Sequence, residues 1–143
     1  MSAEERNTWV QAIVSAAAYI VYAVVILNRA GSTALSEVAY AGTMIWITGA
    51  TIVAIVTGLI LSAIFGVVAN KENEQKASEH DKRISIKGDS FGLFALATGA
   101  GGAMVLAMLE APHFWIANVI FLGFTISSVL SSVVNIISYR RGF

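Results

Sequence analysis

The sequence predicts an all-α fold: a four-helix transmembrane bundle of two helical hairpins, with the N- and C-termini both cytoplasmic. Three observations carry that reading. The chain has 143 residues, of which 57% are hydrophobic and 13% charged, about half the roughly 25% charge of an ordinary soluble domain. The charges are absent from four long stretches: Asn7 to Asn28, Val38 to Asn70, Ser90 to Leu109, and Ala111 to Tyr139. The basic residues are placed asymmetrically between the loops. A soluble core of this size cannot hide so much apolar surface, which excludes a soluble globular enzyme, a disordered tail and a nucleic-acid-binding domain.

Each charge-free stretch reaches the ~20 residues that a helix needs to cross a hydrocarbon core about 30 Å thick. No water is present there to satisfy the backbone, so helix is the expected conformation. A membrane barrel would instead alternate in segments of about 10 residues. The spans read as 8–27, 42–69, 91–109 and 114–137, in a single integral membrane domain covering 1–143, with a cytoplasmic loop over 70–90.

The first span is longer than a signal-peptide apolar region, and its flank, Glu4-Glu5-Arg6, is mixed rather than basic. It is expected to remain in the mature protein. The second span is long enough to tilt or to project from the bilayer. It repeats a small residue at every fourth position: Ala50, Ala54, Gly58, Ser62 and Gly66. The third span carries a similar ladder, Ala95, Gly99, Ala103 and Ala107. Residues four apart share a helix face, and small side chains let helices approach closely where the hydrophobic effect no longer drives them together. Both ladders are expected to face other helices, within this chain or across a homodimer. The fourth span sets Ser128, Ser132 and Asn135 along one side, extended by Thr125 and Asn118. Such groups bond a carbonyl four residues back or a neighbouring helix; a water-lined path is the alternative.

Orientation follows from Lys and Arg. Of nine basic residues, one, Arg29, falls in the outer connections; the other eight lie at the termini and in the central loop. That loop, KENEQKASEHDKRISIKGD, pairs Glu72 with Lys76 and Glu79 with Arg83 at i,i+4 spacing. A short surface helix is expected, opened by a capping box from Ser78 to Asp81 and closed by Gly88, with Asp89 or Ser90 capping the third span. The loop is a solvated connector or a docking surface. In the docking reading, Glu79, Asp81, Lys82 and Arg83, with Arg140 and Arg141, meet a protein partner or anionic lipid headgroups. On the outer side, Pro112 makes the turn before the fourth span. Beside it, Trp115 and Phe114 suit bilayer anchors, while His113, Trp115 and Asn118 form a candidate outer-face site.

The chain has no Cys, which removes disulfides, thiolate metal sites and a Cys nucleophile. No Asp, Glu, Lys, Arg or His stands within a span, whereas proton-coupled transporters keep an ionisable group near the midplane. Small multidrug exporters resemble this chain in length but place a Glu in the first helix; here that helix reads TWVQAIVSAAAYIVYAVVIL. His80 and His113 sit outside the spans and offer no axial haem ligation. His113 with Glu110 supplies too few ligands for a metal. No catalytic residues, cofactor or metal are expected, and no enzyme activity.

Several segments, EERNTWV, SEHDKRISIKGD, EAPHFWIANVIFLGF and SYRRGF, together resemble a family of small bacterial, mainly actinobacterial, four-helix membrane proteins with no established activity. The HFWIAN block and the terminal YRRGF are its most specific parts. The family's loop reads Asp-Glu-Arg-Asp where this chain has Ser78-Glu79-His80-Asp81, so Glu79 and Asp81 are the matching acids. The resemblance implies the bacterial cytoplasmic membrane. Members also often lie beside small helix-turn-helix regulators, which implies a regulated function. The expected function is a non-enzymatic accessory or regulatory membrane subunit that docks a partner through its loop. The alternative is an oligomeric small-molecule transporter or channel subunit. The expected partners are the bilayer and a membrane protein or further copies of the chain, with no nucleic acid.

Overall fold

The computed structural model describes residues 3–68 and 74–142. Four helices make up almost all of it: α1 (Ala3–Ala30), α2 (Ala41–Val68), α3 (Glu74–Met108) and α4 (His113–Arg141). Each is long and apolar enough to cross a membrane. A 3₁₀ turn, Leu35–Glu37, lies between α1 and α2. α3 and α4 form the most extensive contact, α1 packs on α4, and α2 packs on α1. The two hairpins are thus joined through α1 and α4.

The helix ends follow from local chemistry. α1 stops at Gly31, which takes a left-handed φ of 50° that glycine adopts without a Cβ penalty. Arg29 then donates to the Ala39 carbonyl at 3.1 Å and ties down the connection. α3 ends in a Schellman arrangement: Ala111 N–H donates to the Leu106 carbonyl and Glu110 N–H to the Ala107 carbonyl. The left-handed position belongs to Glu110 (φ 54°), and Pro112 follows and opens α4. α4 closes on Gly142, φ 71°, whose N–H bonds the Ser138 carbonyl.

One expectation is corrected. The sequence points to a loop over 70–90 that ends its own short helix at Gly88; the structure has a single 35-residue helix from Glu74 to Met108. Gly88 does not adopt positive φ. Neither Asp89 nor Ser90 caps a helix: Ser90 Oγ donates to the Ile86 carbonyl, and Asp89 accepts from Ser85 and Ser131. The physical reason is tertiary. Gly88 is buried against α4, and packing overrides a modest helix-breaking propensity. The Glu72–Lys76 pair lies outside the described residues.

The α3–α4 seam is built on glycine. A Cβ on Gly99 would come 3.0 Å from the Gly123 Cα, and one on Gly123 would come 3.3 Å from the Gly99 Cα. A Cβ on Gly92 would meet the Ser127 carbonyl oxygen at 2.9 Å. Dispersion contacts at such approach replace the hydrophobic drive that lipid removes. A leucine at Gly99 is expected to force the helices apart and cost about 1–3 kcal/mol. Gly101 has nothing within 4 Å of its Cβ position, so Gly101→Ala should leave stability unchanged or raise it by up to about 1 kcal/mol through helix propensity. Unfolding in mixed micelles measures both, and equal effects would count against this seam.

Candidate functional site

From its middle to the turn end of the bundle, α1 contributes a stripe of Ser15, Tyr22, Ile26 and Ala30, all buried. Their spacing of seven, then four and four, keeps them on one helix face. Tyr22 is 2% exposed. Its hydroxyl donates to Asn118 Oδ1 at 2.7 Å, and Asn118 Nδ2 donates to the Phe114 carbonyl at 2.7 Å. Both polar groups are thereby satisfied inside an apolar shell. The Phe121 ring stands edge-on to Tyr22 at 4.8 Å, and Tyr40 meets Phe114 at 5.4 Å in the same way. The candidate outer-face trio is therefore not assembled. Asn118 is committed inward to Tyr22, whereas His113 and Trp115 are exposed.

At the charged end, Arg140 reaches α1. Its Nε lies 3.7 Å from Glu5 Oε1, and its guanidinium sits 5.8 Å from the centre of the Trp9 ring. The Arg140 side chain is largely exposed while Glu5 is mostly covered; at 3.7 Å with one partner open to solvent, the pair contributes at most about 1 kcal/mol. Glu79, Lys82, Arg83 and Arg141 are exposed and Asp81 half-buried. Arg140 is thus drawn to α1, and among the described residues no hydrogen bond or ion pair joins it to the Glu79–Arg83 group on α3.

Of the third-span ladder, Ala103 is buried and Ala95 and Gly99 half-buried, but Ala107 is exposed. The seam runs the other way, through Gly92 to Gly88. Of the second-span ladder, Ala50, Ala54 and Gly58 are exposed, and nothing lies within 4 Å of the Gly58 Cβ position. Packing inside this chain is therefore not what these three do. The surroundings of Ser62 and Gly66 lie outside the described residues. The half-buried positions of α2, namely Thr43, Met44, Ile47, Thr51 and Ile55, end at Ile55, and the described residues from Val56 to Ile64 are all exposed.

Between α2 and α4, with α1 as its floor, lies a groove of ≈ 650 Å³. Its walls include Ile52, Ile55, Phe121 and Phe124, and its polar atoms come from Ser15, Ser128, Thr48, Thr51 and Thr125. Ser15 and Ser128 bond to each other at 2.8 Å. Thr51 and Thr125 donate to the carbonyls of Ile47 and Phe121 within their own helices. Among the described residues no charged side chain lines the groove. Among the described residues no three His, Cys, Asp or Glu side chains gather as a metal site. Sequence reasoning singled out Ser128 and Asn118 on the fourth span but did not pair them with Ser15 and Tyr22 on the first. Their seven-residue spacing in the first span was the available signal.

Comparison of the chain with known protein families, with curated proteins and with solved structures found no match.

The fourth-span polar residue nearest the charged end, Asn135, lies over Gly88. Its Oδ1 is buried without a hydrogen-bond partner and occupies the space of a Gly88 Cβ, 2.8 Å from which lies the Ser131 carbonyl oxygen. Gly88→Ala is expected to destabilise by about 1–3 kcal/mol. Adding Asn135→Ala should restore part of this and not all, because the Ser131 carbonyl is backbone and cannot swing away. Full rescue, or none, in micelle unfolding would contradict that geometry.

Proposed function

We propose that this chain is a non-enzymatic, multi-pass protein of the bacterial cytoplasmic membrane that serves as an accessory or regulatory subunit of a larger membrane assembly. The observation that carries this reading is the condition of α2. Ala50, Ala54 and Gly58 are exposed, as are the described residues from Val56 to Ile64, and nothing lies within 4 Å of the Gly58 Cβ position, yet these residues present the small-residue face by which membrane helices pack. A second surface points the same way. α3 is about 52 Å long, some 20 Å more than a hydrocarbon core requires. The excess carries Glu79, Asp81, Lys82 and Arg83 at the end that the basic residues assign to the cytoplasm. These charges suit a protein partner or anionic headgroups. The proposed membership of the small actinobacterial family rests on the HFWIAN and YRRGF segments and fits such a role.

A second reading, an oligomeric transporter or channel subunit, draws on the groove beside α2. It is the weaker one, because among the described residues no ionisable group lines that groove to couple movement to a gradient.

Native mass spectrometry of the tagged protein, extracted in mild detergent from its host, tests the choice. A second polypeptide at fixed stoichiometry is expected. Reversing both Lys82 and Arg83 to Glu should deplete it several-fold, and Gly58→Leu should do the same through α2. Homo-oligomers alone, together with solute flux in liposomes that Ser128→Leu reduces, would replace the accessory reading by transport.

A further inference from the structure

We propose that the groove between α1, α2 and α4 is a binding site for an uncharged lipophilic molecule that carries a hydrogen-bond-accepting oxygen, such as a long-chain ketone. This holds whichever role the protein plays in an assembly. The volume, ≈ 650 Å³, falls within the roughly 300–1,000 Å³ typical of small-molecule sites. The walls are aliphatic and aromatic, and no charge lies among them. An ionic ligand would pay its full desolvation cost there without a counter-charge.

The hydroxyl pair at the floor sets the ligand's chemistry. In the bond between Ser15 and Ser128, one hydroxyl donates and the other accepts. The accepting hydroxyl keeps its own proton, which no acceptor among the described residues takes up. Ser15 is 8% exposed and Ser128 is half-buried and opens only onto the groove, so at bilayer depth water does not readily satisfy the pair. A donor left idle in an apolar setting is costly, and an acceptor oxygen delivered by a ligand removes that cost.

Depth separates such a ligand from the bulk lipid. Ser128 stands twelve residues before Arg140 and fifteen after His113, about 18 and 22 Å along the helix. The hydroxyl pair is therefore near the middle of the hydrocarbon layer. A phospholipid holds its oxygens at the interface and offers only methylenes at that level. A free neutral molecule that immerses completely can bring an oxygen there. The fourth side of the groove, between α2 and α4, is the entry from the bilayer.

Photolabelling of the intact protein in phosphatidylcholine nanodiscs tests this with three probes: a long-chain ketone bearing a diazirine, an alkane of equal length bearing the same group, and a phosphatidylcholine with the diazirine on its acyl chain. The ketone is expected to label α2 and α4 peptides about fivefold more than either other probe, the ratio that one net hydrogen bond of about 1 kcal/mol provides. In Ser15→Ala/Ser128→Ala the ketone should fall to the alkane level. Both partners become apolar together in that variant, which leaves no orphaned hydroxyl and favours folding. Ala117→Trp, which fills the groove and keeps the serines, should abolish labelling there by all three and serves if the double variant does not fold. Equal labelling by ketone and alkane in the native protein would overturn the proposal. So would phospholipid labelling equal to the ketone's, full labelling in the double alanine variant, or full labelling in Ala117→Trp.

Discussion

The close approach of α3 to α4 is the constraint on which the remaining structure depends. In lipid, side chains gain nothing by leaving their solvent, so helices stay together only where their surfaces fit. Gly88, Gly92 and Gly99 on α3 face Asn135, Ser127 and Gly123 on α4, at separations that leave no room for a methyl group. That seam holds Gly88 in helical geometry and thereby fuses the charged segment to the third span. It also fixes which side of α4 remains for α1.

On that remaining side, α1 and α4 are held by specificity rather than by proximity. Ser15 bonds Ser128 and Tyr22 bonds Asn118, and Arg140 reaches Glu5 across the charged end. The three ties lie near the middle and at the two ends of the helix pair, so they define its register. Each is individually modest; interhelical bonds in membranes average about 0.6 kcal/mol. Aromatic rings around Tyr22 add shape to the turn end, where Tyr40 of the connection and Met44 and Ile47 of α2 pack against the core. The described residues of α2 from Val56 to Ile64 are all exposed, and before them, between Met44 and Ile55, the groove separates α2 from α4.

This division of labour also places the chemistry. Charges sit at the helix ends, where water or headgroups can solvate them, and the interior polar groups are neutral hydroxyls and amides. Such an interior can recognise a molecule by shape and by a single hydrogen bond. It has no group with which to store or relay a charge at mid-depth. The charged residues of α3 from Glu79 to Arg83 and the exposed described residues of α2 from Val56 to Ile64 are the surfaces through which the proposed assembly would be built.

Helix number, helix class and approximate spans were legible in the sequence because a bilayer imposes one rule on every residue in turn: about 20 uncharged residues, all helical. That rule is local, so a single sequence suffices to apply it. The ladder at Ala95, Gly99 and Ala103 was legible for the same reason, since periodicity marks a face. What periodicity does not contain is the partner of a face. The ladder at Ala50, Ala54 and Gly58 has the same spacing and meets no helix of this chain. Gly88 has the composition of a helix end, yet it lies in the middle of one because Ser131 and Asn135 stand opposite it. Asn118 has the position of an outer-face ligand, yet its amide is taken by Tyr22, 96 residues away in the chain. Length, polarity and spacing are properties of one segment and were determined by the sequence alone. Which segments touch, and therefore which polar groups are spent and which remain for a ligand, depends on distances between segments, and only the tertiary structure decided it.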